Sequence, residues 1–269
     1  MAVTEKSSLA APVAMTIAGS DSGSNAGVQA DLLTFAANQV YGVCAITCLT
    51  AQNPNGVTRI EPMDNAFVLE QADRVMEYFN PAAIKTGMLF SEGIIRSAIE
   101  FIKANPQLKV VIDPVMVASS GAVLLKPEAV ELAKKELIPL ADIITPNLDE
   151  GAILLGSPIE SSDNLVAATK ELAKQYGVTV FLKGGHLKDA ELLDALATPE
   201  GDFETYTQKR IESIDTHGSG CTISAAIAAN FAKGKDTLEA VASARSYLRR
   251  GMESPVFLSG IPFINHFPK

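Results

Sequence analysis

The chain has 269 residues, of which 47% are hydrophobic and 20% charged, with a formal net charge of −9. That is an ordinary globular profile, and its acidic balance argues against nucleic acid or an anionic membrane as the main partner. No run approaches the ~18–20 apolar residues of a membrane span, and the three cysteines, Cys44, Cys48 and Cys221, form neither a disulfide framework nor a zinc spacing, as expected for a reducing cytoplasm.

Residues 1–12 are small and mixed in polarity and do not read as a signal peptide. They are expected to be a poorly ordered extension before one domain over 13–269. Val13–Ala18 is a predicted strand. It runs into Gly19-Ser20-Asp21-Ser22-Gly23-Ser24-Asn25-Ala26-Gly27 and then a helix over Val28–Asn38, the opening of a βα unit. Tyr41–Leu49 reads as a strand that ends in Thr50-Ala51-Gln52-Asn53, and Pro54-Asn55-Gly56 as a turn. Asp64–Tyr78 has helical spacing with Asp64 as N-cap, and Ser91–Ala104 follows with Ser91 as N-cap. Between them Ala82–Lys85 is a strand that ends in Thr86-Gly87-Met88.

Lys109–Ile112 is a strand that ends in Asp113-Pro114-Val115-Met116, and Pro127–Leu137 a helix with proline in its first turn. Asp142–Ile144 is a strand that ends in Thr145-Pro146-Asn147; Leu148–Leu155 and Asn164–Tyr176 are helices. Val178–Leu182 is a strand that ends in Lys183-Gly184-Gly185-His186. Glu191–Ala197 and Phe203–Ile211 read as a hairpin, and two helices, Cys221–Ala232 and Thr237–Met252, close the chain. Strands alternating with helices predict a single α/β domain, a mostly parallel sheet with helices on both faces.

Polar or glycine-rich residues follow six of these strands: Gly19-Ser20-Asp21, Gln52-Asn53, Lys85-Thr86-Gly87, Asp113, Asn147 and Lys183-Gly184-Gly185. Open α/β sheets bind ligands along that carboxyl edge. The stretch Asp215-Thr216-His217-Gly218-Ser219-Gly220-Cys221-Thr222 leads into an alanine-rich helix. Glycines let the backbone approach a ligand closely, and free N–H groups with the helix dipole favour an anion such as phosphate. Cys221 falls in the first helical turn, where a thiol pKa tends to drop. The chain carries neither the phosphate-loop nucleotide motif nor the dinucleotide glycine pattern.

The remaining set is the anion loop, Lys183, the carboxylates Asp113 and Glu150, and the amides Gln52 and Asn147. Phosphoryl transfer uses such a set: N–H donors and a lysine for charge on the moving group, and carboxylates for hydrated Mg²⁺. Each residue also has a plainer reading. Lys183 could be solvated, Asp113 could shape the turn before Pro114, Glu150 could favour a helix start, and Gln52 could cap a strand. His186 and His217 adjoin glycine turns and are left out of the catalytic set.

Taken together and in order, the Gly19, Asp31, Gln52, Lys85-Thr86-Gly87-Met88, Asp113-Pro114-Val115-Met116, Asn147–Glu150, Lys183–His186 and Thr216–Thr222 segments resemble the bacterial hydroxymethylpyrimidine/phosphomethylpyrimidine kinases of thiamine biosynthesis, in the ribokinase-like superfamily. The resemblance implies Mg-ATP-dependent phosphorylation of the hydroxymethyl group and then of the monophosphate. It implies that Gln52 bonds the aminopyrimidine ring, with Asp31, Gly19, Met88 and Val115 in the pocket. Gly218-Ser219-Gly220 would form the anion hole, Cys221 the base, and Asn147, Lys183 and Thr216 the ATP contacts, with Asp113 and Glu150 serving Mg²⁺. It also implies a cytoplasmic homodimer. Ser24-Asn25 departs from a frequent Gly-Gly pair, and Ser219 from a usual threonine. A pyridoxal kinase of the same superfamily and a non-catalytic pyrimidine-binding protein are the rival readings. Ser119-Ser120-Gly121 is the expected lid.

Overall fold

The computed structural model describes residues 11–116, 125–185, 191–211 and 214–268. Residues 1–10 of the expected extension, the expected lid at Ser119-Ser120-Gly121 and His186 lie outside the described residues. The strands are β1 (Val13–Asp21), β2 (Tyr41–Asn53), β3 (Gly56–Pro62), β4 (Ala83–Thr86), β5 (Lys109–Ile112), β6 (Ile143–Ile144), β7 (Thr179–Leu182), β8 (Glu191–Ala197) and β9 (Phe203–Lys209). They form one sheet in the order β3-β2-β1-β4-β5-β6-β7-β8-β9. The run from β2 to β7 is parallel, and β3, β8 and β9 pair antiparallel at the two edges. The carboxyl ends of the parallel strands therefore share one edge.

The helices are α1 (Gly27–Ala37), α2 (Asn65–Phe79), α3 (Glu92–Ala104), α4 (Pro127–Leu132), α5 (Leu148–Leu155), α6 (Ser162–Tyr176), α7 (Ser219–Ala232) and α8 (Thr237–Glu253). The period-2 alternation of the strands splits the core in two. Met15, Ile17, Ile84, Ile112, Ile144 and Leu182 face α2 to α6; Ala14, Ala83, Val111, Ile143 and Phe181 face α1, α7 and α8. Small residues on the second face, together with the fully buried Ala225, Ala226, Ala228 and Ala229 of α7, let that helix lie close under the sheet. The expected N-caps hold: Asp64 accepts from the N–H groups of Ala66 and Phe67, and the Ser91 hydroxyl accepts from Ile94 N–H. Among the described residues no helix is long and apolar enough to cross a membrane.

Three local features differ from the sequence reading. The helix expected over Pro127–Leu137 is α-helical only to Leu132, and continues as a π turn over Ala133–Leu137 and a 3-10 turn over Ile138–Leu140. Pro139 has no N–H to donate to the preceding helical turn, and that turn widens. Strand β2 continues through Gln52 to Asn53 and turns into β3, which the sequence left unassigned because most of its residues face water and the hydrophobic alternation is lost. After α8 the chain forms a small hairpin, β10 (Val256–Leu258) and β11 (Ile261–Phe263), too short to show a period.

Candidate active site

A cavity of about 500 Å³ runs along the carboxyl edge of the sheet. Its lining includes Gly19, Gln52, Met88 and Val115, Asn147, Lys183 and Thr216, and Gly218–Cys221. The structure thus brings the expected residues to one cleft, with one exception. Asp31 does not reach the cavity wall: it is fully buried on α1. Its carboxylate accepts from the Thr16 hydroxyl at 2.6 Å and from Lys85 Nζ at 2.9 Å through each oxygen. Asp31 instead holds Lys85, whose side chain, itself fully buried, borders the cavity. A lysine inside the apolar strand Ala83–Thr86 was the available sequence signal, since buried lysines are rare unless paired.

Local geometry explains the glycines. At Gly19 a Cβ would stand 2.8 Å from Cys48 Sγ, so the cleft is tight there. Gly218, the N-cap of α7, has φ 83° and lies against the Asn25 carbonyl, which leaves no room for a side chain. The Asn25 segment is in turn shaped by Asp21, whose oxygens accept from the N–H groups of Gly23, Asn25 and Ala26. Burial pushes the Asp21 carboxyl up, but the adjacent His217 ring and these backbone donors outweigh it and hold the carboxyl below its usual value.

The anion hole differs in detail from the expectation. Ser219 N–H donates to the Thr216 carbonyl and Thr222 N–H to the Gly218 carbonyl. Among the described residues, the N–H groups of Gly220 and Cys221 have no backbone partner in the first turn of α7. A Cβ on Gly220 would meet Lys183 Nζ at 3.1 Å and Asp113 Oδ2 at 3.8 Å, so the lysine and carboxylate stand directly beside those donors. Lys183 Nζ donates to Asp113 Oδ1 at 3.3 Å, and the Thr145 hydroxyl donates to the same oxygen at 3.1 Å. Burial alone would strip Lys183 of its proton; the carboxylates of Asp113 and Glu150 prevail and hold it above the usual lysine range.

Asn147 and Glu150 are locked in a reciprocal cap at the start of α5. Asn147 Oδ1 accepts from Glu150 N–H, and Glu150 Oε2 accepts from Asn147 N–H. The Asn147 side chain therefore has only its NH₂ left for a ligand. Glu150 is pushed up to about 7, chiefly by burial and also by Asp113, against the pull of Lys183.

The lowered thiol pKa expected for Cys221 from its helical position is reversed by its surroundings. The thiol is pushed up to about 11: burial dominates, the Lys85 ammonium opposes it, the Asp31 and Asp113 carboxylates add to it, and a hydrogen bond from Gly27 N–H opposes it. Gly27 is the first residue of α1, so two helix N-termini meet at this sulfur. Burial among carboxylates outweighs both.

One residue left outside the catalytic set on sequence grounds, His217, also lines the cleft. His217 Nε2 lies 3.2 Å from Gln52 Nε2 and 3.7 Å from Asp21 Oδ2. Among the described residues no group of three or more histidine, cysteine or acidic side chains is arranged to hold a metal alone. Asp113 and Glu150 instead suit Mg²⁺ that arrives with nucleotide phosphates, a mode that needs only one or two carboxylates.

Residues 21–260 match the model of the phosphomethylpyrimidine kinase family. The hydroxymethylpyrimidine/phosphomethylpyrimidine kinase of Rhizobium meliloti is 42% identical over 244 residues, 90% of this chain and 91% of that one. The crystal structure of the phosphomethylpyrimidine kinase of Clostridium difficile superposes with a TM-score of 0.78 at 40% identity, covering 88% of this chain and 97% of that one. The pyridoxal kinase from Staphylococcus aureus in complex with AMP-PCP superposes with a TM-score of 0.86 at 32% identity, covering 96% of this chain and 94% of that one. Cleft, fold and likeness over nearly the whole length agree: the chain belongs to the phosphomethylpyrimidine kinase family.

Proposed function

We infer that this protein transfers a phosphoryl group from ATP to the hydroxymethyl group of hydroxymethylpyrimidine, and then a second one to the resulting monophosphate, in thiamine diphosphate biosynthesis. The observation that carries the reading is the placement of the Gly220 and Cys221 N–H groups beside Lys183 and Asp113 in the wall of a single cleft. In-line transfer needs charge stabilisation at such a point rather than covalent help from the protein. The nucleotide lies toward Asn147, Lys183 and Thr216, and the pyrimidine toward Gln52, Gly19, Met88 and Val115. Asp113 and Glu150 hold hydrated Mg²⁺, which neutralises phosphate charge. A cytoplasmic homodimer is the setting carried over from the family resemblance.

In the first transfer the alcohol oxygen bonds to the γ-phosphorus as the β–γ bridge breaks, and the hydroxyl proton must leave. Cys221 Sγ takes it as a thiolate. With the thiol pushed up to about 11, that form is scarce at neutral pH before substrates bind. In the second transfer the acceptor is already an anionic phosphate and needs no base.

The test is ADP release with Mg-ATP and hydroxymethylpyrimidine, its monophosphate, pyridoxal or no acceptor. Turnover with both pyrimidines and little with pyridoxal supports the reading. Preference for pyridoxal replaces the acceptor assignment while leaving the cleft chemistry in place, and turnover with none removes the kinase reading.

A further inference from the structure

Gln52 sits where strand β2 is irregular: the β2–β3 register shifts between Ala51 and Gln52. Such irregularities beside a site re-aim a side chain. Its backbone is clamped on both sides by Ser22, whose hydroxyl donates to Gln52 O and accepts from Gln52 N–H, each at 2.8 Å. Among the described residues the side chain has one hydrogen-bond partner at its tip, His217 Nε2 at 3.2 Å from Gln52 Nε2. His217 is fixed in turn, since its N–H donates to Asp215 Oδ1 at 2.9 Å and Asp215 N–H donates to the Pro262 carbonyl at 2.9 Å.

An amide nitrogen cannot accept a hydrogen bond, so in this arrangement Gln52 donates and His217 Nε2 accepts, with the ring proton on Nδ1. Asp21 Oδ2 is the rival partner of the same nitrogen. It lies 3.7 Å away, beyond hydrogen-bond range, and the Asp21 oxygens already accept from three backbone N–H groups. For the neutral ring the shorter contact decides the arrangement; the effect of His217 on the Asp21 carboxyl belongs to the ring when it carries a proton on Nε2. A primary amide has two N–H bonds. One goes to His217, and the other remains for a ligand together with Oε1. That pair of atoms is the edge by which glutamine reads an amino group next to a ring nitrogen.

We propose that His217 is a specificity-determining positioning residue, holding the Gln52 amide so that its Oε1 and remaining N–H face the cleft as one edge for an amino group adjacent to a ring nitrogen. This rests on the acceptor reading given under Proposed function. Without His217 the amide loses the contact that sets which edge it presents. A ring that offers an oxygen in place of the amino group has no donor for Oε1.

The experiment compares the wild type with His217→Phe, His217→Gln, Gln52→Leu and the double variant Gln52→Leu/His217→Phe, using hydroxymethylpyrimidine and its analogue without the exocyclic amine. His217→Phe keeps ring volume and removes the acceptor; it should cut kcat/KM for the amino substrate about tenfold, as expected for one net hydrogen bond. KM for ATP should stay unchanged and the preference over the des-amino analogue should collapse. His217→Gln, which restores an acceptor, should recover part of the loss. In the Gln52→Leu background His217→Phe should cost less than about twofold, because the histidine acts through the amide. A loss that simply adds to that of Gln52→Leu, a matching rise in KM for ATP, or intact discrimination in His217→Phe overturns the proposal while the acceptor reading stands. If Gln52→Leu itself leaves pyrimidine kinetics unchanged, the acceptor reading fails and the proposal with it.

Discussion

Glu150→Gln should make the ligand-free protein more stable above neutral pH while impairing its use of Mg-ATP. The Glu150 carboxyl rises from an ordinary value of 4.5 to about 7 in the folded protein. A rise of about 2.5 units at about 1.4 kcal/mol each corresponds to about 3.5 kcal/mol. The folded state binds this proton more tightly than the unfolded state. The stability tied to it is therefore complete below pH 4.5, and is lost as pH climbs through about 7. Glutamine stays neutral throughout, and its carbonyl can still accept from Asn147 N–H, preserving the cap. Some of the gain is offset because Lys183 loses one of its two anionic neighbours. Thermal unfolding without nucleotide should give coincident midpoints for wild type and variant near pH 4.5, and a variant midpoint higher by about 6 °C at pH 8. Added Mg-ATP should stabilise the wild type more than the variant. Parallel midpoints across this pH range would show that burial does not strain Glu150, and the charge balance around Lys183 would need to be redrawn.

Lys85→Met should cost about 3–5 kcal/mol in urea unfolding, because it strands the Asp31 carboxyl in a fully buried position. Lys85→Met with Asp31→Asn removes both charges and should recover most of that loss; equal losses in the two variants would refute a paired role. Cys221→Ala should slow phosphorylation of hydroxymethylpyrimidine more than that of its monophosphate, and equal loss in both steps counts against a base. Alkylation of Cys221 by iodoacetamide in the ligand-free protein should rise about tenfold per pH unit toward its value of about 11. A plateau by pH 8 would instead restore the low-pKa thiol that its place in a helix's first turn suggests.

The fold was legible because its signals are local. Apolar strands ending in polar residues, helices with Asp64 and Ser91 as caps, and the alanine run of α7 each carry their own pattern, and a parallel sheet follows from their alternation. Strands β3, β10 and β11 were not legible: they are short and largely exposed, so no hydrophobic period marks them. The site was legible as a set of residue types at strand ends, but not as pairings. That Lys85 reaches Asp31 across 54 positions, or that His217 meets Gln52 across 165, depends on the register of the sheet and the return of the chain over it. The protonation of Cys221 was misjudged for the same reason. Its position in the helix is a sequence fact, whereas the carboxylates around it come from α1 and from the end of β5.

These pairings also explain how a chain with net charge −9 can receive a nucleotide tetra-anion. The cleft does not rely on a surplus of cations. Each lysine at its centre is held by an acid, Lys85 by Asp31 and Lys183 by Asp113, which keeps both charged despite burial. The field offered to an incoming phosphate then comes from fixed N–H dipoles at the start of α7, with the lysines in register behind them. Such groups need little reorganisation as charge moves during transfer. The same arrangement makes the acids consequential: replacing Asp113 removes a Mg²⁺ contact and frees Lys183 to move, so its loss should reach beyond metal affinity to the placement of the transferred group.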